Sequence, residues 1–275
     1  QAASSQEFKW VQVSTPIYRP EFADFDPARG TYTYQVSWQG IPAAELQVEV
    51  DQDDQYYRIT VQAKTYSPID FFYKLRYRSE GVISSYDLMP VKSITEHREN
   101  SKLKHTQVSF LENGEILTVQ ADKNKPPEVH HINSDNFTLD PFSAAFLARS
   151  LNWEIGQTRK FDTFNGRSRY LVSLTAESKS TLKVNGVERE VWVVVPKVEY
   201  LNKKQKQQKL RSAKIYVSAD KSREILQIVS EVFVGSVKTK MTAFTPAQSP
   251  APKIRVARNG SEFDVAPESN LLLSR

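Results

Sequence analysis

The stretch Thr31-Tyr32-Thr33-Tyr34-Gln35-Val36-Ser37-Trp38 decides the fold class of this chain. Large apolar side chains alternate along it with polar ones, so both tyrosines, the valine and the tryptophan share one face of an extended segment. This period of two is typical of a β-strand with one buried and one solvated face. Because parallel strands are usually apolar on both faces, the stretch predicts an antiparallel strand.

The next two segments repeat this alternation. Residues 46–50 and 57–63 place apolar side chains at every second position, and turn-forming residues lie before each segment, at Gly40–Pro42 and Asp51–Asp54. Three consecutive strands in an antiparallel meander are therefore predicted. Further predicted strands cover 71–78, 82–86, 91–98, 103–111, 115–120, 157–164, 168–175, 179–184, 188–200, 211–218, 223–234 and 236–244.

Asn-Gly pairs at 113–114, 165–166 and 185–186 predict tight hairpin turns, because both residue types tolerate positive φ. One segment predicts a helix instead. Asp140 is placed to cap it and Pro141 to fill its first position, and Phe142, Phe146 and Leu151 follow on one stripe. A single short amphipathic helix is expected in the middle of the chain.

An open, twisted sheet rarely exceeds about 10 strands, and exposed edges favour aggregation. We therefore predict a mainly β protein, built as a large antiparallel curled sheet or open β-barrel with one short helix. Residues 1–29 and 245–275 are rich in proline and lack alternation. They are expected to be an irregular N-terminal segment and a tail that flank one β domain over 30–244.

The composition excludes several kinds of chemistry. The 275 residues contain no cysteine, so disulfides, thiolate metal sites and cysteine nucleophiles are absent. The 37 basic and 32 acidic residues give a net charge of +5, and the two signs are interleaved along most of the chain. The polar start at Gln1–Gln6 is interpreted as a new N-terminus left by removal of a signal peptide. A lipid anchor upstream of it stays open.

No sequence motif of an enzyme is present. The chain has no nucleophile elbow, phosphate-binding loop, dinucleotide glycine pattern or HExxH string. His130 and His131 lie in a predicted loop and point to opposite faces if extended, so they make a poor shared metal site. His97 and His105 are on neighbouring predicted strands, where a polar sheet face is the ordinary interpretation and a pair that meets across a hairpin is the alternative. The expectation is a protein that is not an enzyme and uses no cofactor and no metal.

A basic run lies between two strong predicted strands. A solvated hairpin tip is the ordinary interpretation, and contact with lipid headgroups or an anionic polymer is the alternative. Aromatic residues are not interleaved with the run, so nucleic acid is not expected as a partner. The residues that would make such contacts are Lys203, Lys204, Lys206, Lys209 and Arg211.

A second candidate surface is the concave side of the predicted sheet. In residues 71–78, apolar side chains occupy one face and basic ones the other, apart from Phe72. Core packing is the ordinary interpretation of the apolar faces, and a ligand cavity is the alternative. The predicted ligand-binding residues are Tyr34, Trp38, Phe72, Arg76, Arg78, Phe142, Phe146 and Trp192.

Five short motifs spread over residues 31–244 resemble the exported domain-of-unknown-function 3108 family of Gram-negative bacteria. They are 34–43 (YQVSWQGIPA), 57–59 (YRI), 88–90 (LMP), 140–144 (DPFSA) and 216–220 (YVSAD). The resemblance implies a location in the cell envelope and a curled β-sheet similar to lipoprotein-carrier folds. It implies no established chemistry and no catalytic residues.

Three functions are hypotheses at this point, and the third, a hydrolase or metal enzyme, rests only on the histidines and scattered carboxylates. In the first, a periplasmic protein binds or carries an apolar ligand, such as a lipid or lipoprotein, on its concave surface. In the second, the protein is an interaction module whose basic residues bind an anionic envelope polymer or a partner protein. Peripheral contact with a membrane fits the first two, and the sequence leaves the ligand and the oligomeric state open.

Overall fold

A computed structural model describes residues 19–123, 125–133, 138–201, 210–232, 235–248 and 254. Within them, 15 strands and two short helices follow one another along the chain. The helices are α1 (Ser67–Asp70) and α2 (Pro141–Arg149). The strands are β1 (Gly30–Trp38), β2 (Ile41–Gln52), β3 (Tyr56–Thr65), β4 (Leu75–Ser84), β5 (Pro90–Glu99), β6 (Lys102–Phe110), β7 (Glu115–Asp122), β8 (Glu128–Asn133), β9 (Thr138–Leu139), β10 (Thr158–Phe164), β11 (Arg169–Val184), β12 (Val187–Tyr200), β13 (Leu210–Ser218), β14 (Ile225–Val232) and β15 (Gly235–Pro246).

All of these strands belong to one sheet, in the order β8-β7-β6-β5-β4-β3-β2-β1-β15-β14-β13-β12-β11-β10-β9. Strand β1 lies at the centre of the sheet, and from it the chain meanders outward to β8. It then crosses to the other edge and returns inward, until β15 pairs with β1. Every pairing is antiparallel except that of β9 with β10. The prediction of one large antiparallel sheet is confirmed, with this short parallel pair as an exception.

The sheet curls without closing into a barrel. The Asn165–Ser168 turn joins β10 and β11 near one edge, yet it touches β6 and β7 near the other edge. Thr118 Oγ1 donates a hydrogen bond to the Gly166 carbonyl at 3.0 Å, and Gln120 Nε2 donates to the same oxygen at 2.7 Å. Strands so distant in sheet order meet only if the sheet bends round on itself.

Period-two alternation produces the core as expected. Tyr32 and Tyr34 of β1 are buried, whereas Thr31, Thr33 and Gln35 on the other face are only half-buried. At the β11–β12 hairpin, Asn185 and Gly186 adopt φ of 50° and 85°, the pair of positive angles that a two-residue turn of this kind requires. Local residue chemistry therefore sets both the faces of the strands and the positions of the turns.

Helix α2 lies inside the curl. Phe146 and Leu147 are 3% and 2% exposed and belong to the same apolar cluster as Tyr34, Tyr57 and Trp192. The helix begins as predicted, with Pro141 in its first turn and the Asp140 side chain accepting a hydrogen bond from the Ser143 amide at 2.7 Å. Because α2 has sheet around it, nearly all of its C-terminal turn is buried.

Arg149, the last residue of α2, is a buried cation held by carbonyls and aromatic rings. Its Nε donates to the Arg223 carbonyl at 2.7 Å, and Nη2 donates to the Ser222 carbonyl at 2.9 Å. Its guanidinium carbon lies 4.9 Å from the ring centre of Phe146 and 5.7 Å from that of Phe25. These contacts join the helix end to the β13–β14 turn, so removal of the side chain would leave two buried carbonyls unpaired.

The two ends of the curled sheet differ. The end that carries the β1–β2 turn, α1 and the β5–β6 turn is called the α1 end. At the opposite end, residues 19–29 cross over the C-terminus of α2, where the Phe22 amide donates to the Ser150 carbonyl and Phe25 packs edge-on against Phe146. The interior is thus covered at the opposite end by this segment, which contains no helix and no strand.

Several predicted element boundaries are wrong. The predicted strand over 71–78 begins instead at Leu75. Asp70, the last residue of α1, accepts hydrogen bonds from Thr65 and Arg76, and these bonds fix α1 in front of the strand. That strand and the one predicted over 82–86 are the single strand β4. The strands predicted over 168–175 and 179–184 are the single strand β11, whose alternation is interrupted by a register shift between Ala176 and Ser178. The segment around His130, predicted to be a loop, is the exposed edge strand β8.

Among the described residues, no helix combines the length and the apolarity that crossing a membrane requires.

The Asp140 carboxyl should make stability depend on pH. Burial raises its pKa to about 6, and its Oδ2 is buried without a hydrogen-bond partner. Between pH 4 and 6 the folded chain therefore binds more protons than the unfolded chain, so stability falls as pH rises, by about 3 kcal/mol. Urea unfolding of wild type and Asp140→Asn across this range should show the variant gaining relative stability, since Asn keeps the cap and does not titrate.

Asp140→Ala is the matched control. It also removes the titration, but it loses the cap and should be about 1 kcal/mol less stable than Asp140→Asn at every pH. If wild type and Asp140→Asn keep a constant difference from pH 4 to pH 7, the buried carboxyl does not titrate as described.

Candidate functional site

A cavity of about 280 Å³ lies inside the curl, beside β3–β6. Its walls are inward-facing side chains of these four strands, the first two residues of α2 and the β10–β11 turn. Lys104 and Asn165 are exposed to solvent and mark its mouth, towards the α1 end. We call this space the inner cavity.

Hydroxyl groups form the floor of the inner cavity. Ser79, Thr95 and Thr106 stand opposite one another on β4, β5 and β6, and Ser93 lies on the same face. Ser79 Oγ and Thr95 Oγ1 are 2.7 Å apart and share a hydrogen bond. A hydroxyl both donates and accepts, so this floor can orient a polar ligand of either kind.

Basic groups surround the mouth. Lys104 stands opposite His97, whose ring packs edge-on against Tyr77 with the ring centres 5.9 Å apart. Arg167 donates from Nη2 to Asp122 Oδ1 at 2.8 Å, and this hydrogen bond lowers the pKa of the carboxyl. Two permanent cations thus face one carboxylate, and no acidic side chain is among the described residues that line the cavity. Its electrostatic potential favours an anion.

Two glycines allow the walls to close around this space. A Cβ at Gly81 would overlap the ring of Phe142, so the missing side chain lets α2 approach β4 closely. Gly166 has φ of 88°, and a Cβ there would overlap the methyl groups of Thr106 and Val108. The positions of the helix and of the β10–β11 turn therefore depend on glycine at both sites.

Four of the eight predicted ligand-binding residues lie on or around α2 rather than on an open concave face. Tyr34, Phe146 and Trp192 are at most 8% exposed and pack in the core. Tyr34 also donates from its hydroxyl to the Ile225 carbonyl at 2.8 Å. Phe142 is different, since it lines the inner cavity. The structure therefore assigns most of this aromatic set to packing around the helix.

The other four predicted residues lie outside the curl or at the α1 end. Arg76 donates to Asp70 and Thr65, and Arg78 approaches Glu80 at 3.9 Å, so both cations have polar partners. Both also line a shallow groove of about 260 Å³ on the outer face of β2–β5. Phe72 and Trp38 are exposed at the α1 end. The structure does not bring the eight residues into one site.

The histidines do not meet. His105 stands opposite Glu96, and its Nδ1 lies 3.8 Å from Glu96 Oε1 on the outer face of the sheet. His97 is the next residue after Glu96 on β5, so it faces inward. The alternative in which His97 and His105 meet across a hairpin is therefore excluded, because they occupy opposite faces of the sheet. Within the described part of the chain, no group of three or more His, Asp or Glu side chains is arranged to hold a metal ion.

Most of the basic run lies outside the described residues. This applies to 203, 204, 206 and 209, and of Arg211 only the backbone, in β13, is described.

The polar residues of the inner cavity were missed at the level of sequence. Ser79, Thr95, Thr106 and Lys104 occupy inward positions of β4, β5 and β6. Hydroxyls on the inward face of three adjacent strands are the signal that could have located the cavity. Arg167 carries no such signal, since it lies in a turn that is distant in sequence from β6.

The fold and the cavity define a β-barrel-like protein, an open curled sheet around a helix with a polar space left inside. The sequence from 33 to 242 matches the family described as "Protein of unknown function (DUF3108)". The chain belongs to this family, and the predicted resemblance is confirmed. A comparison with curated proteins finds no match.

One solved structure supports the fold. A β-barrel-like protein of the DUF1849 family from Brucella abortus superposes with a TM-score of 0.53, at 8% identity over 81% of this chain and 99% of that one. The hypothetical protein CT021 from Chlamydia trachomatis gives a TM-score of 0.35, at 10% identity over 88% and 98% of the two chains. At such identities the first similarity concerns the fold alone.

The contact between Gly81 and Phe142 gives a test of the cavity wall. Gly81→Ala should destabilise the protein by about 1 to 3 kcal/mol, because the new methyl group pushes the ring and the start of α2 away from β4. In a Phe142→Ala background the same substitution should cost much less, since nothing remains to clash. Urea unfolding of the four proteins in this cycle measures the coupling. Equal costs in both backgrounds would show that the two residues do not touch.

Proposed function

We propose that this protein is a non-catalytic binding protein whose inner cavity holds a small anionic group, such as the phosphate of a lipid headgroup. One observation carries the proposal. A partly enclosed polar space has basic side chains at its mouth and no acidic side chain among its described lining residues. Such a space binds an anion because Coulomb attraction and hydrogen bonds from hydroxyls act together.

The dimensions favour a headgroup rather than an acyl chain. Ligand sites are usually about 300 to 1,000 Å³, so a cavity of about 280 Å³ takes a small group or one end of a larger ligand. Tyr77, Phe142 and Val61 add an apolar side to the polar floor, which matches a ligand with an anionic head and a short apolar neck. The apolar interior that would have held a chain is occupied by α2.

The proposal also places the protein in the periplasm, which it would reach by export with removal of a signal peptide. One observation and the proposed ligand are compatible with it. The chain needs no oxidative folding, since it lacks cysteine. An anionic amphiphile is also a ligand that the cell envelope supplies. Fractionation of cells that express the complete reading frame would test the location, and recovery of the protein in the cytoplasm would contradict it.

Binding can be measured with short-chain phospholipids below their micelle concentration. Isothermal titration with dihexanoyl phosphatidylglycerol should give saturable binding, weakened about tenfold by Lys104→Gln, because one charge-assisted contact is lost. Dihexanoyl phosphatidylcholine, which carries no net charge, should bind more weakly than phosphatidylglycerol. Inorganic phosphate in a parallel titration distinguishes a free anion from a lipid headgroup.

Lys92→Gln provides the control, because its neighbour Ser93 faces inward and Lys92 therefore faces outward from β5. It should bind like wild type. The proposal fails if neither the lipid nor phosphate binds, or if both lysine variants lose affinity equally.

A further inference from the structure

Large aromatic side chains are exposed together at the α1 end. Phe71 and Phe72 follow α1 and are 87% and 81% exposed, and their rings pack edge-on with centres 5.1 Å apart. Trp38 and Ile41 flank the β1–β2 turn at the same end, at 44% and 60% exposed. An exposed pair of phenylalanines is costly in water, and a grouped apolar surface of this kind marks a contact site.

The phenylalanines are presented by a fixed turn. Asp70 accepts hydrogen bonds from Arg76 Nη1 at 3.0 Å and from Thr65 Oγ1, and Thr65 Oγ1 accepts one from the Leu75 amide at 3.0 Å. The hydrogen bonds from Arg76 contribute most to lowering the pKa of the Asp70 carboxyl to about 2. Asp70 is therefore ionised at neutral pH and keeps its ion pair with Arg76. The hydrogen-bonded turn therefore holds the two rings in water.

The charge around these rings is positive. Exposed lysines at the same end include Lys74, Lys102 and Lys123. Of the carboxylates at this end, Asp70 pairs with Arg76 and Asp122 with Arg167, and Glu99 accepts a hydrogen bond from Tyr73. Peripheral membrane proteins combine the same two features. Their aromatic rings insert into the interfacial layer of the bilayer, and their lysines contact anionic headgroups.

We propose that the α1 end docks on the surface of a lipid bilayer that contains anionic lipid, with Phe71 and Phe72 inserted among the headgroups. Trp38 and Ile41 extend this contact along β1 and β2. The β5–β6 turn is joined to it, since the Lys74 amide donates to Asn100 Oδ1 at 2.9 Å and the Asn100 amide donates to the Lys74 carbonyl at 2.8 Å.

This orientation turns the mouth of the inner cavity towards the bilayer. Lys104 lies two positions along β6 from Lys102, on the same side of the strand, and Asn165 lies in a turn at the same end of the sheet. The surface and the cavity are nevertheless independent, because the rings of Phe71 and Phe72 do not line the cavity. Loss of headgroup binding in the cavity would leave the docking proposal intact, and the reverse also holds.

Vesicle flotation tests the docking with the complete chain. Vesicles of phosphatidylethanolamine and phosphatidylglycerol should carry the protein upward at low salt, and vesicles of phosphatidylcholine should carry much less. Phe71→Ser with Phe72→Ser should weaken binding about 10- to 100-fold, since two rings no longer leave water. Lys74→Gln with Lys102→Gln should weaken it severalfold and reduce its dependence on salt.

The matched control removes two exposed apolar side chains from the opposite end, Tyr86→Ser with Ile155→Ser, which are 62% and 65% exposed in wild type. It should float like wild type, and unfolding curves of all variants verify that each is folded. Docking is overturned if wild type does not float with anionic vesicles, if the phenylalanine variant floats equally well, or if the control loses as much binding. Equal flotation with both kinds of vesicle overturns the role of the lysines.

Discussion

The position of α2 inside the curled sheet is the constraint on which the rest of the structure depends. A sheet of 15 strands that bends round on itself encloses more space than the side chains of its own inner face fill. Phe146 and Leu147 fill the half enclosed by β1–β3 and β11–β15, and Arg149 joins the helix end to the β13–β14 turn. Without α2 the aromatic residues of β1 and β3 would line an empty cavity, which proteins avoid because voids forfeit dispersion contacts.

The same helix divides the interior into a packed half and an open half. Its first turn approaches β4 at Gly81, and beyond that contact the inward residues of β4–β6 change from apolar to hydroxyl and basic types. Buried polar groups need partners, and here they bond with one another or with the β10–β11 turn. A space lined in this way is suited to a polar ligand. The aromatic surface at the α1 end is separate from it, yet it lies on the side of the molecule where the cavity opens.

Much of the fold could be predicted from sequence, because its signals are local. Alternation along β1–β3, the Asn-Gly turns and the Asp140-Pro141 helix start each depend on residues within a few positions of one another. The errors arose where tertiary contacts override such patterns. The register shift in β11 breaks the alternation, the edge strand β8 has little apolar pattern to detect, and α1 depends on hydrogen bonds from residues on both flanking strands.

The candidate site was harder to predict than the fold. Tyr34, Phe146 and Trp192 were chosen as ligand contacts but pack in the core, because sequence does not tell an inward face covered by a helix from one that faces a cavity. Lys104 and Arg167 lie 63 positions apart in the numbering and meet at one mouth only because the sheet curls.

The sequence by itself determined the antiparallel strands, their faces, their turns, the start of the helix and the family, because these depend on side-chain chemistry over short distances. Only the tertiary structure decided which apolar residues became core, where the polar cavity opened and which rings stayed in water. Those outcomes depend on which distant strands the curl brings together, and no short stretch of the chain contains that information.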